Sequence, residues 1–104
     1  RCYVEVKSVT LVQGGRARFP DAPTQRGTKH LRHLLQAKKQ GHRAAIVFTV
    51  QREDATSFTP NDEMDPEFGK TLREVVAQGV EAYAYGCRVS LREIRIDREI
   101  AICL

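Results

Sequence analysis

The feature that most narrows the fold is Ala44-Ala45-Ile46-Val47-Phe48, a continuous apolar run within the strand-length segment Arg43 to Gln51. A strand with one wet face alternates in polarity. An unbroken apolar run fits a central strand buried on both faces. A helical pattern from about Gln25 to Gln40 precedes it. Before that, Tyr3-Val4-Glu5-Val6-Lys7-Ser8-Val9-Thr10-Leu11 alternates and is rich in Val, Tyr and Thr, which reads as a strand. Strand, helix, buried strand is a βαβ unit. The first strand should then lie parallel to the buried one in the same sheet, with a right-handed crossover.

Side chains two apart on a strand share a face. Glu5 and Lys7 therefore stand side by side, followed by Val9 and Leu11, while Val4 and Val6 take the other face. Two readings of the pair compete. In one, Glu5 ligates a divalent cation such as Mg²⁺, with the Val6 carbonyl as a further oxygen ligand, and Lys7 positions or deprotonates a water for attack on phosphate. In the other, Glu5 and Lys7 are a solvated charge pair, since Glu-x-Lys is short and common by chance.

Charge is unevenly spread. Residues 13–43 carry eight Arg and Lys against the single Asp21, whereas residues 44–104 carry seven against eleven Asp and Glu. The basic segment attracts polyanions, nucleic acid first; the plain alternative is a solvated helix face. Thr24 is a suitable N-cap and Gly41 a C-terminal stop for the first helix. Its apolar stripe is Leu31, Leu34, Leu35 and Ala37. Arg26, Lys29, His30, Arg32, His33 and Lys39 occupy the remaining faces, and no acid on the helix offsets them. Like charges at that spacing cost about 0.2–0.5 kcal/mol per pair, which favours an anionic partner. Gly27 in the first turn is read as a bare position open to close approach, near a helix N-terminus that favours phosphate.

The other elements follow from turn and cap signals. Gln13-Gly14-Gly15 is a turn, and Arg16 to Phe19 a short extended piece. Arg52 to Asp65 reads as a loop, with Glu53, Asp54, Asp62, Glu63 and Asp65 at the end of a strand where α/β folds place sites. The bland reading of those acids is solvation, and their spacing is not that of an EF-hand. Asp65-Pro66 caps a second helix, Pro66 to Gln78, with Phe68, Leu72, Val75 and Val76 on one face. A strand from Val80 to Val89, interrupted at Gly86, carries Tyr83 and Tyr85 on a shared face, read as core or edge packing rather than as base-stacking platforms. A turn at Leu91-Arg92, a strand from Glu93 to Asp97 and a short strand from Ile100 to Leu104 complete the chain.

At 104 residues the chain suits one small domain. Cys2, Cys87 and Cys103 are odd in number and widely spaced, so they fit neither a disulfide framework nor a zinc set. Reduced thiols give the expectation of a cytoplasmic protein. No apolar run reaches membrane-spanning length. The chain opens inside a strand without an initiator Met, so a piece with partner strands upstream is expected.

Taken together, the first strand, Phe19-Pro20-Asp21-Ala22-Pro23-Thr24-Gln25-Arg26-Gly27-Thr28-Lys29-His30-Leu31, Gly41-His42-Arg43-Ala44, Val50-Gln51-Arg52-Glu53-Asp54 and Pro60-Asn61-Asp62 resemble the sugar fermentation stimulation protein A family of bacteria and archaea. The resemblance runs through most of the chain. It implies a mixed-sheet α/β domain with a strand-helix-strand core of the PD-(D/E)XK nuclease-like type. Residues 1–104 would be most of a C-terminal domain, with an OB-like N-terminal domain absent. It further implies DNA as partner and a link to regulation of sugar utilisation. The alternative is a metal-dependent phosphodiesterase acting on DNA. By the same resemblance Glu5 is the acidic metal ligand and Lys7 the motif lysine. Asp21, Arg26, Gly27, Lys29 and His30 form the signature segment near the site. Arg26, Lys29, His30 and Arg32 are the expected nucleic-acid contacts. The motif's first acid has no counterpart in these residues, so an incomplete Mg²⁺ site and an inactive piece are expected.

Overall fold

The computed structural model describes residues 1–89 and 94–104, leaving out the side chains of Val89, Ile94 and Asp97. The expected turn at Leu91-Arg92 and the expected strand residue Glu93 lie outside the described residues. The elements in chain order are β1 (Cys2–Val9), β2 (Leu11–Gln13), β3 (Arg16–Phe19), α1 (Gln25–Lys39), β4 (Arg43–Val50), β5 (Ser57–Pro60), α2 (Pro66–Ala77), β6 (Glu81–Val89) and β7 (Ile94–Ile102). They form a mixed α/β fold with one seven-stranded sheet, ordered β1-β4-β6-β7-β5-β3-β2.

The expected βαβ unit is present. β1 pairs parallel to β4, with Glu5 opposite Ile46 and Lys7 opposite Phe48. Both faces of β4 are largely covered, as its apolar run requires: Ala44, Ala45, Ile46, Phe48 and Val50 are buried. Thr24 caps α1 through its Oγ1, which accepts from Gly27 N at 2.9 Å, and Asp65 caps α2 by accepting from Phe68 N at 3.1 Å. Leu31, Leu34 and Ala37 from α1 join Phe68, Leu72 and Val75 from α2 in covering one sheet face. At its centre Phe48 stacks on Phe58 with ring centroids 4.1 Å apart.

Three boundaries differ from the sequence reading. The first strand does not run on to Leu11. β1 ends at Val9, and Leu11 begins β2, which pairs antiparallel with β3 on the opposite edge of the sheet. The two-residue link Gly14-Gly15, at φ 58° and 78°, supplies the left-handed pair that a tight hairpin needs. The segment 52–65 is not all loop: Ser57–Pro60 is a strand, parallel to β3 on one side and to β7 on the other. Both partners are remote in sequence, so no local pattern announces it. The two closing strands are one, β7, paired antiparallel to β6 with a bulge at Gly86/Cys87. Arg98 lies across Gly86 so closely that a Cβ there would stand 2.5 Å from its guanidinium. The same guanidinium donates to the carbonyls of Glu53 and Ala55, so Gly86 makes room for an anchor of the 52–56 segment.

Candidate functional site

Strand alternation turns Tyr3, Glu5 and Lys7 toward α1, because their register partners Ala44, Ile46 and Phe48 are the helix-facing residues of β4. His30, in the second turn of α1, meets them from the helix side. Its Nδ1 lies 3.0 Å from Glu5 Oε1 and 2.8 Å from Lys7 Nζ. Lys7 Nζ is 3.3 Å from the same Glu5 oxygen. The three groups close a triangle. Their side chains are 32%, 15% and 23% exposed for Glu5, Lys7 and His30, so the triangle is reachable from solvent but screened less than a surface pair.

His30 borders two neighbouring depressions. One is lined by Gln25, Arg26, Lys29, His30 and His33 and contains no acid. The other, on the strand side, is lined by Tyr3, Val4, Glu5, His30, His33 and Leu34. Arg26, Lys29 and His33 are exposed. His33 and Tyr3 belong to this neighbourhood although neither stands out as a site residue in the sequence. The i,i+3 spacing of His30 and His33 and the same-face alternation of Tyr3 with Glu5 are the signals that place them there.

Other expected site residues go elsewhere. Arg32 points toward α2, where its guanidinium meets Glu67 Oε1 at 3.0 Å. Gly27 is buried, and a Cβ there would sit 2.8 Å from Thr24 Cγ2 and 3.3 Å from Phe68 Cε1. The close approach that Gly27 allows is therefore made first by the Thr24 cap and then by Phe68 of α2. Asp21 is exposed and lines a separate depression with Leu11, Gln13, Asn61, Glu63 and Met64. Among the loop acids, Asp54 pairs with Arg52 and Glu53 with Arg88. Asp65 caps α2 with one oxygen and accepts from Thr24 N at 2.8 Å with the other. Asp62 accepts from both terminal guanidinium nitrogens of Arg73, at 3.0 and 2.8 Å, and these bonds hold its carboxyl below the usual carboxylate range.

Hard divalent cations want several oxygen ligands; Mg²⁺ keeps waters and takes one or two carboxylates with substrate phosphates. Glu5 brings one carboxylate, and Lys7 already neutralises it. Among the described residues no three His, Cys, Asp or Glu side chains converge as metal ligands. The donors of these residues do not by themselves fit a resident ion. Nor is any helix among them long and apolar enough to cross a membrane.

Comparison with known proteins agrees with the fold. Residues 1–93 match the family model described as the sugar fermentation stimulation protein RE domain. A sugar fermentation stimulation protein homolog of Thermoanaerobacter sp. (strain X514) is 56% identical over 103 residues, covering 99% of this chain and 45% of that protein. A homolog from Moorella thermoacetica is 61% identical over 88 residues, 85% of this chain and 38% of that one. The structure of Pyrococcus furiosus SfsA in complex with Ca²⁺ superposes with a TM-score of 0.92 at 34% identity, over 99% of this chain and 45% of its own. The chain thus spans less than half the length of these relatives.

Proposed function

We propose, for a chain that belongs to the sugar fermentation stimulation protein family, that it binds DNA through phosphate contacts from α1, beside the Glu5–Lys7–His30 triangle. The observation that carries this reading is a difference among its cations. Arg32, Arg43, Arg52, Arg73 and Arg88 each have a carboxylate within 4.0 Å. Arg26 and Lys29 stand exposed, around a depression without an acid. Leaving cations unpartnered side by side has a repulsive cost that an anionic ligand removes. Contacts of this kind grip the backbone and read no sequence. The link to regulation of sugar utilisation rests on the family resemblance.

Counterion release sets the test. Affinity for duplex DNA should fall steeply with salt. Replacing Arg26 and Lys29 together by Gln should lower the log–log salt slope by about 2, one for each phosphate no longer neutralised, without lowering the melting temperature. An affinity that stays flat between low and moderate salt refutes the reading.

A metal-dependent phosphodiesterase is the second reading. It is favoured by the convergence of Glu5 and Lys7 on one half-buried point, and by the Ca²⁺ of the Pyrococcus furiosus relative. Its further ligands would come from outside the described residues. Cleavage of duplex DNA by the protein at the full length of its relatives, with Mg²⁺ or Mn²⁺, is the assay. Equal activity in Glu5→Gln removes Glu5 from the site.

A further inference from the structure

The acids of this chain divide much as its cations do. Asp54, Asp62, Glu67 and Glu81 each have a guanidinium within 3.0 Å. The carboxylates of Asp21 and Glu63 have neither an ion pair nor a hydrogen bond among the described residues. The two line one depression of about 460 Å³, together with Leu11, Gln13, Asn61 and Met64, and no cationic side chain lines it. Arg18 stands opposite Leu11 in the hairpin, but its field falls on Asp62. Two exposed acids alone would be a solvated patch. Asn61 makes the difference. It is 7% exposed, and its Nδ2 donates to the Pro20 carbonyl at 2.9 Å. A carbonyl can only accept, so that bond fixes which end of the amide is which. The other end, Oδ1, is left for the depression that Asn61 lines, and it has no partner among the described residues. An acceptor so deep without a donor costs free energy that a donor arriving from the depression recovers.

We propose that this depression binds a primary alkylammonium group, carried by a free polyamine or by a lysine side chain of a partner. An ammonium has three N–H donors and no acceptor. The depression presents a matching set: the Asp21 carboxylate, the Glu63 carboxylate and Asn61 Oδ1. Bonds between an ammonium and carboxylates are charge-assisted and so among the stronger ones. Leu11 and Met64, the latter 42% exposed, give the aliphatic stem an apolar wall, as the stems of long cationic side chains require. A hard divalent cation fits less well. It takes about six to eight oxygens or keeps its waters, which Leu11 and Met64 do not bind. Among the described residues no three His, Cys, Asp or Glu side chains converge as metal ligands. The depression shares no residue with the one on α1, and nothing in its assignment rests on the phosphate-binding reading.

Titration of the ¹⁵N-labelled chain with putrescine, followed in proton–nitrogen correlation spectra at low salt, tests the assignment. Saturable shifts are expected at Leu11, Gln13, Asp21 and residues 61–64, with the Asn61 side-chain amide among them. Shifts that grow without saturating, or that are as large at the exposed acids Glu74 and Glu99, overturn the proposal, because they report general screening. Asp21→Asn/Glu63→Gln keeps the shape of the walls and removes both charges. Both positions are exposed, so the melting temperature should hold while affinity falls about tenfold; unchanged affinity overturns the proposal. Tetramethylammonium has the charge without the N–H groups and should bind far more weakly. Equal binding by it means that Asn61 Oδ1 is not used, and the assignment falls. Ca²⁺ that moves the same residues at a lower concentration than putrescine makes this a metal site and refutes the alkylammonium. Spermidine and an end-blocked Gly-Lys-Gly peptide then separate the sources. Tighter binding of the peptide identifies a partner's lysine, and tighter binding of spermidine a free polyamine.

Discussion

The two long sides of α1 differ in how their polar groups are satisfied. On the side against α2, each named group has a partner within the chain. Thr24 N donates to Asp65, Gly27 packs on Phe68, and Arg32 meets Glu67. On the side toward β1, His30 has partners, whereas Arg26 and Lys29 stand around a depression without an acid. One helix thus carries a side completed by the fold and a side that the fold leaves to something else. Composition alone could not separate them, because Arg26 and Arg32 are the same residue six positions apart. The neighbour separates them: α2 carries Glu67 in its first turn beside Arg32, whereas Arg26 lines a depression without an acid.

The strongest way to break this comparison is through Asp65. This residue is only 9% exposed, and its carboxylate caps α2 while tying down Thr24 at the start of α1. Asp65→Ala removes an N-cap, usually worth about 1 kcal/mol, and strands the part-buried Thr24 N–H, at about 1–2 kcal/mol, the lower part of the range for a buried donor. A loss of about 2–3 kcal/mol in denaturant unfolding is expected from the two together. DNA affinity of the folded protein should change less than about twofold, since each 1.4 kcal/mol is tenfold. A fall in affinity matching that of Arg26→Gln/Lys29→Gln would mean that the two sides are one site.

Much of this arrangement was legible in the sequence. Both caps, the stop at Gly41 (φ 92°) and the parallel pairing of β1 with β4 follow from local signals, because each rests on residues adjacent in the chain or on one element's period. The triangle was half legible. Alternation puts Glu5 beside Lys7, but the approach of His30 depends on how α1 rotates over the sheet, which its narrow leucine stripe only loosely sets. The opposite fates of Arg26 and Arg32 were not legible, because they depend on an acid in a different helix. β5 was hidden for a related reason. Ser57–Pro60 is short and ends in proline, and it is held by β3 and β7, both distant in sequence.

Acid sharpens the comparison at a second completed cluster. Arg43 binds Glu81 through two nitrogens at 2.6 and 2.8 Å, and the Tyr83 hydroxyl donates to the same carboxylate. The Arg43 bonds first, and the Tyr83 bond second, pull the Glu81 carboxyl from 4.5 down to about 2. A carboxyl with a lowered native pKa stabilises the fold above its unfolded value and loses that contribution as the acid form returns. The contribution is therefore complete above pH 4.5 and lost as pH falls toward 2. The parent chain should lose more stability across that interval than Glu81→Gln does, as read by melting temperature against pH. Parallel curves would show that Arg43 does not hold Glu81 in the ionised form.

The smallest expected effect belongs to Arg32, and it is the most pointed test of the two sides. Its partner Glu67 and its own side chain are 60% and 57% exposed. A pair this exposed contributes about 0.2–1 kcal/mol at most, so Arg32→Ala should shift the melting temperature by no more than a few degrees. The same substitution should leave the salt slope of DNA binding unchanged, because Glu67 already neutralises the charge. Arg26→Ala removes an unpaired cation and should lower that slope by about 1. The two variants delete the same side chain from one helix and differ in what faces it. Equal loss of slope in both would show that phosphate displaces Glu67 from Arg32, and that the acceptor surface extends round the helix N-terminus to α2.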